Sequence, residues 1–121
     1  MKFVRYQLPP IIWAVIIFVE SSISDLTTTS IDIAYKDKIA HIIVFGILGF
    51  LITRAFYNSS TGNIRKYAIV LSIVVGLLYG VFDEIHQSFI PGRYPEFGDV
   101  IADFVGIILS QLFFVSKRKF A

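Results

Sequence analysis

Residues 67–87, YAIVLSIVVGLLYGVFDEIHQ, decide the fold of this chain. The stretch is uncharged as far as residue 82 and then ends in Asp83, Glu84, His86 and Gln87. At about 1.5 Å of rise per residue, a helix of this length matches the hydrocarbon core of a bilayer, which is about 30 Å thick. The sequence therefore predicts a transmembrane helix with polar side chains at one end.

Three further apolar stretches lie at about residues 9–22, 39–56 and 99–116. A content of 55% hydrophobic residues exceeds what a soluble domain of 121 residues normally hides. Residues 9–22 have the length of a secretory signal, but no cleavage site follows them, so we interpret them as a retained span. The predicted fold class is all-α. We expect an integral membrane bundle of four transmembrane helices in one domain, residues 1–121, with a short re-entrant or interfacial outer loop before the fourth helix.

The distribution of charge predicts the orientation of these helices. When the four stretches are threaded through a bilayer in order, eight of the eleven lysines and arginines fall on the side of the two termini. Short cytoplasmic loops retain Lys and Arg, so both termini are predicted to be cytoplasmic in a multi-pass protein of the cell (plasma) membrane. All nine acidic residues fall on the extracytoplasmic side. The basic pI is thus an orientation signal, and we expect no nucleic-acid partner.

Three polar groups meet at the extracytoplasmic ends of the predicted helices. Lys38 and His41 begin the second helix, and Asp99 and Asp103 begin the fourth, each pair sharing one helical face. The group Asp83, Glu84, His86 and Gln87 ends the third helix, and Asp83, His86 and Gln87 share one face there. Arg93 stands in the outer loop, which is rich in Pro and Gly, and its planar guanidinium suits a phosphate or carboxylate. The predicted catalytic residues are His41, Asp83, Glu84 and His86. The predicted substrate-binding residues are Lys38, Gln87, Arg93, Asp99 and Asp103.

These polar strings resemble the VanZ-like membrane proteins. The matching pieces are Lys38-Ile39-Ala40-His41, Asp83-Glu84-Ile85-His86-Gln87, Pro91-Gly92-Arg93 and Asp99-Val100-Ile101-Ala102-Asp103. The resemblance spans nearly the whole chain and implies the family's membrane fold and a role in the cell envelope. The founder of the family is associated with low-level resistance to teicoplanin, so antibiotic resistance is an implied function. The family commonly has asparagine in place of Asp103 and serine-rich pairs in place of Glu20, so this chain carries additional negative charge.

Two classes of function fit the polar groups. The first is a hydrolase or transferase that acts on a lipid-linked or phosphate-bearing substrate, because histidines and carboxylates supply general acids and bases. Ser21, Ser22 and Ser88 are alternative nucleophiles. The second is a non-catalytic protein that binds a lipid, an envelope precursor or the antibiotic, or that holds helices together for assembly. A proton relay ranks behind both, because few polar residues lie in the cytoplasmic half.

The sequence assigns no cofactor and no metal ligand. A divalent metal held by the two histidines with Asp83, Glu84 and Asp103 is an alternative, because these side chains are metal-ligating types. Their spacing, however, matches no standard metal signature. The expected partners are membrane lipids and a lipid-linked envelope substrate or anion. Trp13 and most tyrosines fall near predicted interfaces, as membrane anchors do.

Overall fold

The computed structural model describes residues 2–22, 31–91 and 96–117, with the backbone alone for residues 31–37. Five α-helices and one π-helical turn make up most of these ranges. In chain order they are the turn Phe3–Gln7, α1 (Leu8–Ser21), α2 (Ile31–Tyr57), α3 (Gly62–Lys66), α4 (Ala68–Gln87) and α5 (Phe97–Lys117). No β-strand occurs within the described ranges, so the all-α prediction is confirmed.

Four helical segments are long and apolar enough to cross a membrane: Phe3–Ser21, Lys38–Tyr57, Ala68–Gln87 and Phe97–Lys117. Large apolar side chains such as Val15, Leu78 and Leu112 point away from the bundle and are more than half exposed. Contiguous apolar surface of this kind marks contact with lipid rather than with water. The chain is therefore a helical membrane protein, as predicted. The middle of the predicted outer loop, residues 92–95, lies outside the described residues, and Arg93 lies there with it.

The first membrane helix begins at Phe3, whereas its apolar stretch predicts a start near residue 9. Pro9 has no amide proton, so it cannot donate the usual helical bond to the carbonyl oxygen of Arg5. The Arg54 guanidinium of α2 donates to that oxygen instead, at 2.8 Å, and lies over the ring of Tyr6, 4.6 Å from its centroid. The π-helical turn thus extends the helix ahead of the prolines, because a neighbouring helix satisfies the carbonyl that Pro9 leaves unbonded.

Two other boundaries differ from the apolar stretches. α2 begins at Ile31, well before residue 39, and the connection between the second and third spans contains α3. Hydropathy marks the part of a helix that lies in lipid, whereas helical hydrogen bonding continues into polar sequence beyond it. The apolar stretches therefore located the membrane spans and not the full helices.

The most extensive helix contact among the described residues joins α2 to α5 and depends on glycine. Gly46 and Gly106 face each other, so that a Cβ on Gly46 would lie 3.4 Å from the carbonyl oxygen of Gly106. A Cβ on Gly106 would overlap the carbonyl oxygen of Ile42. Small residues allow this approach of two backbones, which drives helix association in membranes. Ile42 follows His41 and Gly106 lies one turn from Asp103, so the crossing brings these two side chains together. The adjoining core consists of Ile17, Phe45, Leu48, Ile52 and Ile107.

A second, polar contact ties α2, α4 and α5 together in the other half of the bundle. Thr53 Oγ1 lies 2.8 Å both from Gln111 Oε1 and from the carbonyl oxygen of Gly49. Ser72 Oγ donates to the same carbonyl at 3.0 Å, and Gln111 Nε2 lies 3.4 Å from Ser72 Oγ. Because every member of this buried network has a partner, the network stabilises helix association and needs no ligand to explain it.

Candidate functional site

Polar side chains of α2, α4 and α5 meet at one end of the bundle. Four of them are buried carboxylates, with at most 5% of each residue exposed: Asp83, Glu84, Asp99 and Asp103. These four residues, together with Lys38 and His41, are called the acidic cluster. A buried carboxylate is unfavourable unless a hydrogen bond, a cation or a proton compensates it. The partners of each member therefore decide what the cluster can do.

His41 is held between two aspartates of α5. Its Nδ1 lies 2.6 Å from Asp103 Oδ1, and its Nε2 lies 3.9 Å from Asp99 Oδ2. Because a carboxylate accepts, Nδ1 carries the proton of the short bond. The other oxygen of Asp103 lies toward Gly80 of α4, where a Cβ would come within 3.2 Å of it. Asp103 therefore fixes the orientation of the imidazole and places Nε2 on the side of Asp99.

Lys38 is paired with two carboxylates. Its ammonium forms salt bridges with Glu96 and with Asp99 Oδ1, the latter at 2.5 Å. Glu96 also donates its backbone N–H to Glu84 Oε2 at 2.9 Å. Gly98 leaves room for the lysine stem, because a Cβ there would lie 3.2 Å from Lys38 Cε. The predicted substrate-binding cation thus offsets part of the negative charge of the cluster.

The end of α4 buries Asp83, Glu84 and Gln87. Gln87 Nε2 lies 3.5 Å from Asp83 Oδ2, so the amide makes a long hydrogen bond to the aspartate. Glu84 Oε1 and Asp103 Oδ2 are buried and have no hydrogen-bond partner among the described residues. Buried polar atoms are normally satisfied, so each such oxygen requires an explanation.

His86 makes a different set of contacts, with α1. Its ring stacks on Phe18, with 4.4 Å between centroids, and its Nε2 lies 2.8 Å from Ser22 Oγ. Ser22 Oγ also lies 2.7 Å from the carbonyl oxygen of Phe18, which accepts the single hydroxyl proton. His86 therefore donates to Ser22 from Nε2. In this arrangement the histidine joins α1 to α4 and does not activate the serine as a nucleophile.

A cavity of about 300 Å³ lies between α1, α2 and α4, beside the acidic cluster. Its polar lining consists of Glu20, His41 and Asp83, and the rest of the lining is apolar: Trp13, Ile16, Ile17, Ala40, Val44 and Phe45. Trp13 Nε1 donates to the carbonyl oxygen of Val44 at 3.0 Å, which holds the indole against α2. An apolar wall with a few polar groups at one end suits an amphipathic molecule.

Two overlapping groups within the cluster have the spacing of metal ligands. His41, Glu84 and Asp99 each offer a donor atom within 4.8 Å of the others, and so do His41, Asp83 and Asp103. The sequence suggested a metal held by both histidines. His41 belongs to both of these groups, whereas His86 belongs to neither. Imidazole and carboxylate donors together suit divalent ions such as Mn²⁺ and Zn²⁺.

The structure brings two residues to this end of the bundle that the sequence did not assign to the polar site. Glu96 joins Lys38 to Glu84, and its position three residues before Asp99 was the available signal. Trp13, which the sequence places near an interface, packs on α2 and lines the cavity. No spacing in the sequence reveals this contact, because it joins two helices far apart in the chain.

Comparison with known proteins gives one match. The model of the VanZ/LLP1 family matches residues 2–118 of the chain. No curated protein and no solved structure matches it. The matched range includes all five helices and the whole acidic cluster.

Proposed function

Since this chain belongs to the VanZ/LLP1 family and has four helices able to cross a membrane, we propose that it is a multi-pass protein of the cell membrane with its acidic cluster on the extracytoplasmic side. The charge at the other end of the bundle supports this orientation. Arg54, Arg65, Lys66 and Lys117 lie in the last turns of their helices there. Basic residues in short loops stay in the cytoplasm, so both termini are cytoplasmic and the cluster faces the cell envelope.

The absence of cysteine allows a direct test of this topology. Ser88→Cys at the acidic end and Ser60→Cys before α3 each introduce one thiol at an exposed position of a chain without cysteine. A membrane-impermeant maleimide should label Ser88→Cys in intact cells and Ser60→Cys only after permeabilisation. The reverse labelling pattern would contradict the proposed orientation.

Within this topology, the protein is a hydrolase or transferase for a lipid-linked substrate of the envelope. The cavity beside the acidic cluster carries this proposal, because it combines an apolar wall with a titratable polar end. The lipid chain of the substrate packs against the wall, and the reacting head group lies against Glu20, His41 and Asp83. A phosphate on the substrate is assigned to Arg93 on the basis of the sequence.

His41 and Asp83 act as acid and base in this proposal. Asp83 accepts a proton from the attacking water or hydroxyl group. His41, oriented by its bond to Asp103, donates a proton to the leaving group. The contacts of His86 with Ser22 and Phe18 support a structural role for that histidine instead.

Lipids that copurify with the protein provide the test. The full chain is purified in lipid nanodiscs, its bound lipids are identified by mass spectrometry, and conversion is followed after envelope lipids are added. Wild type should convert a bound lipid, whereas His41→Gln should retain the lipid and convert it about 100-fold more slowly or worse. His86→Gln is the matched control and should convert at a rate near that of wild type. Loss of conversion in His86→Gln alone would contradict the assignment of the two histidines.

A second candidate is a non-catalytic protein that binds a lipid, an envelope precursor or teicoplanin. The pairing of Lys38 with Glu96 and Asp99 favours it, because this cation is already engaged by protein carboxylates. Retention of the same lipid by wild type and His41→Gln, without conversion by either, would support binding over catalysis.

The implied link to resistance is tested by expression of the chain, which should raise the minimal inhibitory concentration of teicoplanin.

A further inference from the structure

The acidic cluster contains more buried carboxyl groups than its described cation offsets. Four carboxylates are buried, whereas Lys38 is shared between Asp99 and the exposed Glu96. The sequence places nine acidic residues and only three basic ones on this side of the membrane spans. Ionised carboxylates in a low-dielectric environment are unfavourable without compensation, so such an excess favours the binding of a cation.

We propose that His41, Glu84 and Asp99 bind one divalent cation of the Mn²⁺ or Zn²⁺ class, with Asp103 as the hydrogen-bond partner of the ligating imidazole. The three side chains offer donor atoms within 4.8 Å of one another, from α2, α4 and α5. Nδ1 of His41 is engaged by Asp103, so Nε2 is the ligating nitrogen, and it lies 3.9 Å from Asp99 Oδ2. A carboxylate bonded to the far nitrogen of a histidine is the usual support of a metal ligand.

The contacts of the Glu84 carboxylate support a bound ion independently of the number of acidic residues in the cluster. Its Oε2 accepts the backbone N–H of Glu96 at 2.9 Å, which fixes the carboxylate. Its Oε1 is buried and has no hydrogen-bond partner among the described residues. Lys38 does not compensate this oxygen, because its salt bridges go to Glu96 and Asp99. A cation between Glu84, Asp99 and His41 would satisfy it.

The donor set identifies the class of ion. One imidazole nitrogen with two carboxylate oxygens suits Mn²⁺ or Zn²⁺ better than Ca²⁺, which takes oxygen ligands. Ligand bonds of about 2.0–2.2 Å require the donor atoms to move closer together than 4.8 Å, which side-chain rotation allows. The bound ion would join three helices and hold His41 from the side opposite Asp103. The ion and the proton that His41 donates in the proposed function would both occupy Nε2, so the two roles exclude each other in one molecule. This site therefore goes beyond the proposed function, and it stands whether or not a lipid is converted.

Manganese provides the most informative probe. Full-length protein in nanodiscs is stripped with EDTA and titrated with Mn²⁺ while free Mn²⁺ is measured by electron paramagnetic resonance. We expect one Mn²⁺ per chain, bound at micromolar concentration, and a pulsed-resonance coupling to one directly bound nitrogen that disappears in His41→Gln. Failure of wild type to bind at millimolar Mn²⁺, or binding without a nitrogen coupling, would overturn the proposal. These wild-type measurements do not depend on the folding of any variant.

Two matched variants distinguish the proposed ligands from the alternative group. Glu84→Gln should weaken Mn²⁺ binding at least about tenfold, and Asp83→Asn should leave it nearly unchanged, although both remove one buried carboxylate from α4. The opposite result would overturn the proposal in favour of His41, Asp83 and Asp103. Lipid conversion is measured on the same samples. Conversion without ion binding would remove the ion site and keep the proposed function, and ion binding without conversion would do the reverse.

Discussion

Replacement of Gly106 by alanine should separate α2 from α5 and disturb the acidic cluster. The added Cβ would overlap the carbonyl oxygen of Ile42 and lie 3.0 Å from the nitrogen of Gly46, whereas ordinary contact begins at 3.4 Å. The two backbones must therefore part by about 1 Å to clear the carbonyl oxygen of Ile42, because neither neighbouring atom belongs to a flexible side chain. Overpacking of this kind costs about 1–3 kcal/mol of unfolding free energy.

Gly62→Ala is the matched control for this prediction, because a Cβ at Gly62 meets no atom within 4 Å. Both variants gain helix propensity, so the difference between them isolates the clash between the helices. Unfolding is measured by titration with sodium dodecyl sulfate in mixed micelles, followed by circular dichroism. Gly106→Ala should also reduce lipid conversion. Asp103 lies one turn away on the same helix, and its Oδ1 lies 2.6 Å from Nδ1 of His41. An unfolding free energy within about 0.5 kcal/mol of Gly62→Ala would refute the reasoning.

Three further variants test separate contacts in the same unfolding assay. Thr53→Val removes the hydroxyl next to Gln111 Oε1 and should cost about 0.6–1.7 kcal/mol, and a neutral result would mean that water replaces the bond. Tyr79→Phe removes the hydrogen bond from the tyrosine hydroxyl to a main-chain carbonyl of α1 and should lower the unfolding free energy by about 0.5–1.5 kcal/mol. The fluorescence emission of the single tryptophan should also change, and an unchanged emission spectrum would argue against the contact. Gly80→Ala should cost about 1 kcal/mol and lower lipid conversion, since its Cβ would lie 3.2 Å from Asp103 Oδ2; full conversion would show that the carboxylate can move freely.

The spans of the fold could be predicted because lipid imposes a simple length requirement on an apolar helix. The start of the first helix could not be predicted in this way. It depends on a hydrogen bond from Arg54 to the carbonyl oxygen of Arg5, which Pro9 leaves without a helical donor. The contact joins residues 49 positions apart, and no local pattern reports it. Helix ends are set by such partners, whereas helix interiors in a membrane are set by hydropathy.

Helical spacing predicted part of the set of residues that form the candidate site. Lys38 with His41, and Asp99 with Asp103, were placed on shared faces by spacings of three and four residues. Spacing could not say which histidine meets the carboxylates, because that depends on how the helices pack. The structure sets His41 against Asp103 and gives His86 to α1.

The sequence by itself determined that this is a helical membrane protein with four helices long and apolar enough to cross a bilayer and with acidic residues collected at one end, because hydropathy and charge act residue by residue against the bilayer. The tertiary structure decided which of those residues meet. Glycines at the crossing of α2 and α5 bring His41 onto Asp103, and the seating of α1 against α2 and α4 encloses the cavity. Contacts between helices depend on shape at distances of a few ångströms, and that shape exists only after the helices have packed.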